Sequence, residues 1–256
     1  MINILVIGDI IGSPGRKAVR TILPELDSEY SIDMVIANAE NAAGGIGVTP
    51  EIAREMLDNG AHVLTSGNHI WAHKEIYPYL DSDMPLLRPL NYPPGVPGRG
   101  YVIKNGVLVV NIIGRTFIGD FDCPFRTMDK LLAEVREKPQ VVIIDFHAEA
   151  TSEKVAMGRY LDGRVSAVLG THTHIGTIDS KILPGGTAYV TDIGMTGPED
   201  SIIGDDVDNV IHRFLTLLPH HFALGKGKVI FNGILLKIDE STGKTKEITR
   251  ISREVA

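Results

Sequence analysis

The sequence predicts an α/β fold in which two mixed sheets pack together with helices on the outside. Three observations lead there. Short, continuous apolar runs rich in Val and Ile recur along the chain, as expected of strands buried on both faces. Between them lie stretches whose apolar residues fall at i, i+3, i+4 and i+7, the spacing of one helix face. After Lys228 the pattern becomes two strand-like runs joined by a turn at Ser241-Thr242-Gly243, an antiparallel hairpin. A chain of 256 residues can bury roughly 70% of its unfolded surface. With no composition shift or internal repeat, we read one domain over 1–256.

Ile2 to Ile7 is an unbroken apolar run that suits a doubly buried strand. It leads into GDIIGSPGR (8–16), where Ser13 can cap a helix and Pro14 suits its first turn. The helix that follows carries Val19, Ile22, Leu23 and Leu26 on one stripe. Met34 to Ala37 makes a second strand. Thr49-Pro50 opens a helix to Leu57 that Asn59-Gly60 ends, and His62 to Thr65 makes a third strand. The proline-rich stretch from Pro85 to Gly100 reads as an ordered surface excursion, or else as the wall or lid of a site. Val107 to Ile113 and Val141 to Phe146 are further buried strands, with Met128, Leu131, Leu132 and Val135 striping a helix between them. Val165 to Leu169 and Thr187 to Val190 are shorter strands, and Val207, Val210, Ile211 and Phe214 mark a late amphipathic helix.

Composition narrows the function. Hydrophobic residues at 43% and charged residues at 22% are those of a globular protein. A net charge of -7 argues against a nucleic-acid coat or a membrane-surface role. A small anionic substrate stays open, because a metal ion can reverse the local field of a site. Cys123 is alone, which excludes an internal disulfide. The opening MINILVIGDI has no basic region, Asp9 interrupts its apolar run, and no later run reaches the ~18 apolar residues of a spanning helix. We expect a reducing cytoplasm.

Polar residues able to carry chemistry follow the strands. Asp9 follows the first, Glu40-Asn41 the second and Asn68-His69 the third; His147 follows the Val141 strand, and His172 and His174 the Val165 strand. Ligands of α/β sheets bind beyond the carboxyl ends of strands, so five strands ending this way describe one site. Each residue also has a plain structural reading: Asp9 and Asn68 in turns, Glu40 and Asn41 capping the AGGIG loop, His69 bonded to a carbonyl. His147, delivered to a strand end by VVIIDF, resists such a reading. His172 and His174 alternate, and in extended chain they point the same way. Oxygen and imidazole donors without thiolate favour Mn, Fe or Zn. Seven donors exceed what one ion with an open position takes, and suit a pair about 3.5–4 Å apart bridged by a carboxylate. The sequence carries no P-loop, dinucleotide fingerprint or Gly-x-Ser-x-Gly elbow, and Cys123 in FDCPF has no histidine signature beside it. Spacing therefore reaches a two-metal hydrolase and names no substrate.

GNH (67–69) and GTHTH (170–174), with a carboxylate after the first strand and a lone histidine between, resemble the calcineurin-like metallophosphoesterases. That superfamily shows Asp-x-His, Gly-Asp-x-x-Asp, Gly-Asn-His-Asp/Glu, a separate His and Gly-His-x-His. Here Ile11 stands in place of the first histidine, AENAAG (39–44) replaces the second motif, and Ile70 follows His69 where an acid is usual. These departures match one bacterial subgroup, the YmdB-like phosphodiesterases active on 2′,3′-cyclic nucleotides. GDIIGSPGR, NAENAAGGIG, SGNHIW, DFHAEATSEK, GTHTH and TDIGMTGP (191–198) all resemble that subgroup's pattern, across nearly the whole chain. The resemblance implies a four-layer αββα sandwich with a dinuclear metal centre, iron first, with manganese or zinc as alternatives.

Carried across residue by residue, the resemblance implies that Asp9, Glu40, Asn41 and His174 hold one ion. Glu40 would bridge to a second, completed by Asn68, His147 and His172. Asn41 fills the place of the missing first-motif histidine, and an amide oxygen there makes that site harder. The implied reaction is hydrolysis of a phosphodiester, a 2′,3′-cyclic nucleotide above all, by in-line attack of a metal-bridging hydroxide. His69, with a reference pKa of about 6.5, is the implied proton donor to the leaving ribose oxygen. Arg115, in GRTF (114–117), is a candidate phosphate contact, with a surface salt bridge as the plain alternative. Trp71 packs near the site or fills a core edge; His73 reads as an exposed helix-start residue, His62 as structural, and His220 and His221 as loop residues. Two rivals stand: a phosphomonoesterase or protein phosphatase on the same scaffold, and a metal-bearing regulatory protein that binds a nucleotide or partner without turnover. The intact ligand set argues against the second. Enzymes of this size commonly form homo-oligomers, but no residue pattern here fixes one.

Overall fold

The computed structural model describes residues 1–219 and 222–255. The chain begins with β1 (Ile2–Ile7), α1 (Gly12–Tyr30), β2 (Met34–Asn38), α2 (Pro50–Asp58) and β3 (Val63–Thr65). A short helix, α3 (Tyr77–Leu80), and the proline-rich stretch lead to the second sheet. That sheet holds β4 (Tyr101–Lys104), β5 (Val107–Ile113), β6 (Val141–His147), β7 (Ala167–Thr171), β8 (Lys181–Ile182) and β9 (Ala188–Val190). Helices α4 (Pro124–Glu134) and α5 (Thr151–Tyr160) cross between β5, β6 and β7. The chain then returns to the first sheet through β10 (Gly197–Pro198), α6 (Val207–Thr216), β11 (Val229–Ile238) and β12 (Thr245–Val255). β11 lies antiparallel to β12 on one side and to β1 and β10 on the other, and β1, β2 and β3 are parallel. The second sheet runs β4-β5-β6-β7-β9-β8, parallel at its centre with antiparallel edges.

Successive residues of these strands enter different cores. On β1, Ile2, Ile4 and Val6 lie between the sheets, whereas Leu5 and Ile7 face α1 and α2. On β6, Val141 and Ile143 lie between the sheets, while Val142, Ile144 and Phe146 face α4 and α5. Three stacked cores require strands apolar on both faces, and they produce four layers: helix, sheet, sheet, helix. Thr49 caps α2 by accepting from Ile52 N, as its position before Pro50 predicts.

Three expectations need correction. Ser13 does not cap α1, which starts at Gly12 without a side-chain cap. Gly12, at φ +54°, instead donates its N–H to the Asn41 carbonyl at 2.8 Å, so the loop after β2 supplies the acceptor. The proline-rich stretch is no mere surface excursion. Leu86 and Leu87 are fully buried, Leu87 between the sheets, and Asn91 bonds the carbonyls of Ile113 and Asp122. Helix α6 forms where expected, but Val210 alone of its stripe is buried, and Phe214 is 77% exposed. Periodicity shows that a helix has an apolar face and not that the face meets a partner. Strands β4, β8 and β10 and helix α5 carry no sequence pattern that we read. His220 and His221 lie outside the described residues. No helix among the described residues is long and apolar enough to cross a membrane.

Candidate metal centre

Each expected ligand lies at or just past the carboxyl end of a parallel strand. Asp9 follows β1, Glu40 and Asn41 follow β2, and a 3₁₀ turn after β3 carries Asn68 and His69. His147 closes β6, and His172 and His174 follow β7. The first group belongs to one sheet and the histidine trio to the other, so the centre sits on the seam between them. Asp9, Glu40, Asn41 and His147 are buried; Asn68, His69, His172 and His174 are half-buried.

The side chains converge. Glu40 Oε2 lies 3.0 Å from His147 Nε2, and Glu40 Oε1 lies 3.0 Å from His69 Nδ1. His147 Nε2 and His172 Nδ1 are 3.0 Å apart, and Asp9 Oδ1 is 3.9 Å from both His147 Nδ1 and His174 Nε2. Asn41 joins the two halves, with Oδ1 2.8 Å from His69 Nδ1 and Nδ2 3.2 Å from His174 Nε2. Donor atoms of Glu40, His147 and His172 all lie within 4.8 Å of one another, as a shared ion requires.

The far side of each imidazole fixes which nitrogen faces inward. His174 Nδ1 lies 2.7 Å from the Ile203 carbonyl, and His172 Nε2 lies 3.0 Å from Glu149 Oε2. A carbonyl or carboxylate only accepts, so those nitrogens carry protons. His147 Nδ1 lies 3.0 Å from Thr171 Oγ1, whose own hydroxyl donates to Asp145 Oδ1 at 2.6 Å. His147 therefore donates outward as well. The remaining nitrogens, His147 Nε2, His172 Nδ1 and His174 Nε2, point toward the carboxylates, the usual arrangement of metal-binding histidines.

Four buried oxygens support the same reading. Asp9 Oδ1, both Glu40 oxygens and Asn68 Oδ1 have no hydrogen-bond partner, although Glu40 lies close to two rings. Buried unpaired carboxylate oxygens are costly, and a cluster of them facing imidazole nitrogens is the donor set of a cation. A Cβ at Gly67 would collide with Glu40 Oε2 and His147 Nε2, so glycine there keeps a cradle open. The residues present thus fit a metal. One detail differs from the simplest picture: the Asn41 oxygen faces His69, and ligation through it requires a half-turn of the amide.

Electrostatics point the same way. Burial pushes the Asp9 carboxyl up, partly offset by His174 and His147. Burial acts on Glu40 too, but His147 and His69 beside it hold it well below the usual carboxylate range. Burial would push His147 down, yet Glu40 and Asp9 carry it up to about 9. His172 is pushed down to about 3 by burial and by His147. A pair of carboxylates that holds a proton on one imidazole is a pair that attracts a cation.

Beneath the ligands lies a polar layer that sequence reasoning missed. Asp145 Oδ2 accepts from Asn38 Nδ2 at 2.9 Å and from Thr65 Oγ1 at 2.5 Å, joining both sheets under the site. Burial pushes Asp145 up to about 6 despite these bonds and the neighbouring His147. An acid inside VVIIDFH, where every neighbour is buried, was the available signal. Arg115 is exposed, two residues past the β5 end that pairs with His147, and its N–H donates to Glu153 Oε1 at 3.2 Å. Trp71 is half-buried, edge-on to Tyr77 and Tyr92. His62 accepts from Val35 N and is structural, and half-buried His73 lies 2.9 Å from the Ile46 carbonyl.

Known proteins resemble this chain over nearly its whole length. The chain is 49% identical, over 97% of its length and 96% of the relative's, to a 2′,3′-cyclic-nucleotide 2′-phosphodiesterase of Bacillus subtilis. The crystal structure of a hypothetical protein from Thermus thermophilus superposes with a TM-score of 0.92 at 45% identity, covering 99% of both chains. That of a novel phosphatase from Mycoplasma pneumoniae gives 0.93 at 32% identity, covering 99% of this chain and 93% of the other. The model of the YmdB-like protein family matches residues 5–251, a span that holds every side chain drawn to the seam between the sheets. The chain belongs to the YmdB-like family.

Proposed function

We propose that this chain is a metal-dependent phosphodiesterase that hydrolyses 2′,3′-cyclic nucleotides with two transition-metal ions, iron first. The observation that carries the reading is the convergence of the buried Asp9 and Glu40 carboxylates on three inward-pointing imidazole nitrogens, with Asp9 Oδ1 left without a hydrogen bond. Asp9, Glu40, Asn41 and His174 would hold one ion, and Glu40, Asn68, His147 and His172 the other. When bound, such ions neutralise phosphate oxygens and lower the pKa of a water molecule. The relative from Bacillus subtilis supports a cyclic nucleotide over a phosphomonoester.

His69 would serve as the proton donor. Its Nδ1 lies 3.0 Å from Glu40 Oε1, a carboxylate oxygen that only accepts, so that nitrogen keeps its proton. The ring is partly exposed, which leaves Nε2 for the ribose oxygen that departs opposite the attacking water. Glu40, pressed between two histidines, serves as a ligand and not as a base. Arg115 follows β5 on the same edge and would meet a phosphate oxygen. The test is metal analysis of anaerobically purified protein, with turnover compared on a 2′,3′-cyclic nucleotide and on a phosphomonoester. Two ions per chain and preference for the cyclic diester are expected. Preference for the monoester would move the reading to a phosphatase, and binding without turnover to a regulatory protein.

A further inference from the structure

Among the described residues, helix α5 is the one long helix whose inner face is charged: its buried residues are Glu153, Lys154, Met157 and Gly158. Lys154 is 1% exposed, although an apolar pair in place of Lys154 and its partner Asp192 is often as stable as a buried ion pair. We propose that Lys154, through Asp192 and Thr173, is the positioning device that holds His172 and His174 in their metal-binding arrangement. The inference deepens the metal-centre reading above and rests on it.

Thr173 stands between the two histidines, and both of its polar groups end on one carboxylate. Asp192 Oδ2 accepts from Thr173 N at 3.1 Å and from Thr173 Oγ1 at 2.7 Å. The same oxygen takes Lys154 Nζ at 2.8 Å, and Lys154 also reaches Thr173 Oγ1 at 3.2 Å. Gly194 N fixes the other carboxylate oxygen at 2.7 Å. Asp192 is fully buried, so the ammonium is what makes a charged clamp tolerable there.

The clamp acts where the backbone needs it. His172 has φ +93° and His174 φ +66°, a left-handed conformation that a non-glycine residue keeps only when its surroundings enforce it. The segment after Asp192 adds to the enforcement. Ile193 N donates to the Gly170 carbonyl at 2.9 Å, Met195 N to the His174 carbonyl at 2.8 Å, and Thr196 N to the Asp9 carbonyl at 2.8 Å. TDIGMTGP thus lies under Asp9, His172 and His174 without supplying a ligand. Lys154 touches none of the ligands; it sets their backbone.

The test uses Co²⁺ as the probe on metal-free protein. Thr173→Val removes the hydroxyl at constant shape and leaves the Lys154–Asp192 pair intact. Lys154→Met removes the ammonium and keeps the stem that packs on Gly170. Both should weaken Co²⁺ binding about 10–100-fold, the usual effect of losing a partner behind the ligands, and change its visible absorption bands. The urea midpoint of metal-free Thr173→Val should stay near that of the parent. Glu153→Gln is the control, because Glu153 accepts from Arg115 N and Thr116 N on another loop; it should bind Co²⁺ as the parent does. Parent-like affinity and spectrum in Thr173→Val would overturn the proposal even if Lys154→Met fails to fold. So would equal weakening in Glu153→Gln, or a loss of binding matched by lost stability of the metal-free protein. Absence of Co²⁺ binding by the parent would instead overturn the metal-centre reading, and this inference with it.

Discussion

Among the described residues, Glu40 is the one acid whose two oxygens face a histidine from each sheet, His69 from the first and His147 from the second. A bridging role needs its charge more than its shape, because two cations close together repel unless an anion lies between them. Glu40→Gln keeps the volume and removes the charge. It should lower occupancy from two ions to one or fewer, read by elemental analysis, with activity falling in parallel; full occupancy with normal turnover would refute the bridge. His69 is a different kind of residue. If it protonates the leaving oxygen, its removal matters most when that oxygen is a poor leaving group, as a ribose alkoxide is. His69→Ala should keep both metals and lose on the order of 10²–10⁴-fold on a cyclic nucleotide. On bis-nitrophenyl phosphate, whose phenolate departs unaided, the loss should be far smaller. Equal losses on both substrates would assign His69 to positioning phosphate or metal.

At the scale of elements, the turn after β3 shows how closely the backbone is fitted to the centre. Gly67 combines φ -153° with ψ -137°, just outside the extended region, at a cost to alanine of about 1–3 kcal/mol that a folded chain can carry. Its Cβ would nevertheless strike Glu40 Oε2 and His147 Nε2. Gly67→Ala should therefore fold normally by near-UV circular dichroism and bind metal poorly; a variant with full metal content would mean the cradle is not the site. The elements that present these residues were legible because strands buried on both faces leave long apolar runs, and the polar residue ending each run stands out. Helix α5 was not legible, since Glu153 and Lys154 occupy the positions where apolar residues would have marked its buried face. Helix α6 shows the opposite failure: Ile211 and Phe214 make a stripe, yet both are exposed. The candidate ligands could be placed at strand ends from sequence position, whereas the network behind them could not be read. Asn38, Thr65, Thr171 and Asp192 are ordinary polar residues until the two sheets bring them together.

The whole molecule is two sheets whose seam is apolar at depth and polar at one end. Ile4, Val6, Val109, Ile143, Ile234 and Leu236 fill the deep part. At the polar end, Asp9, Glu40 and Asn68 from the first sheet meet His147, His172 and His174 from the second. Ions held there would join the two sheets, and the unfolded chain, which scatters these donors between residues 9 and 174, has no comparable site. A ligand that binds only the folded state stabilises it by about 2.7 kcal/mol at a free concentration 100 times its Kd. For a chain of this size each kcal/mol moves Tm by about 2–4 °C, so the shift expected at that concentration is about 5–10 °C. The metal-free protein should accordingly melt lower by that amount, and its Tm should rise with the logarithm of added metal. Calorimetry of chelator-treated protein across a metal titration measures both. Glu40→Gln should flatten the slope, since fewer ions then join the sheets. A Tm that stays constant over several decades of metal, in protein shown to bind it, would mean that the unfolded chain binds the ions as tightly, and would contradict a site that folding assembles at the seam.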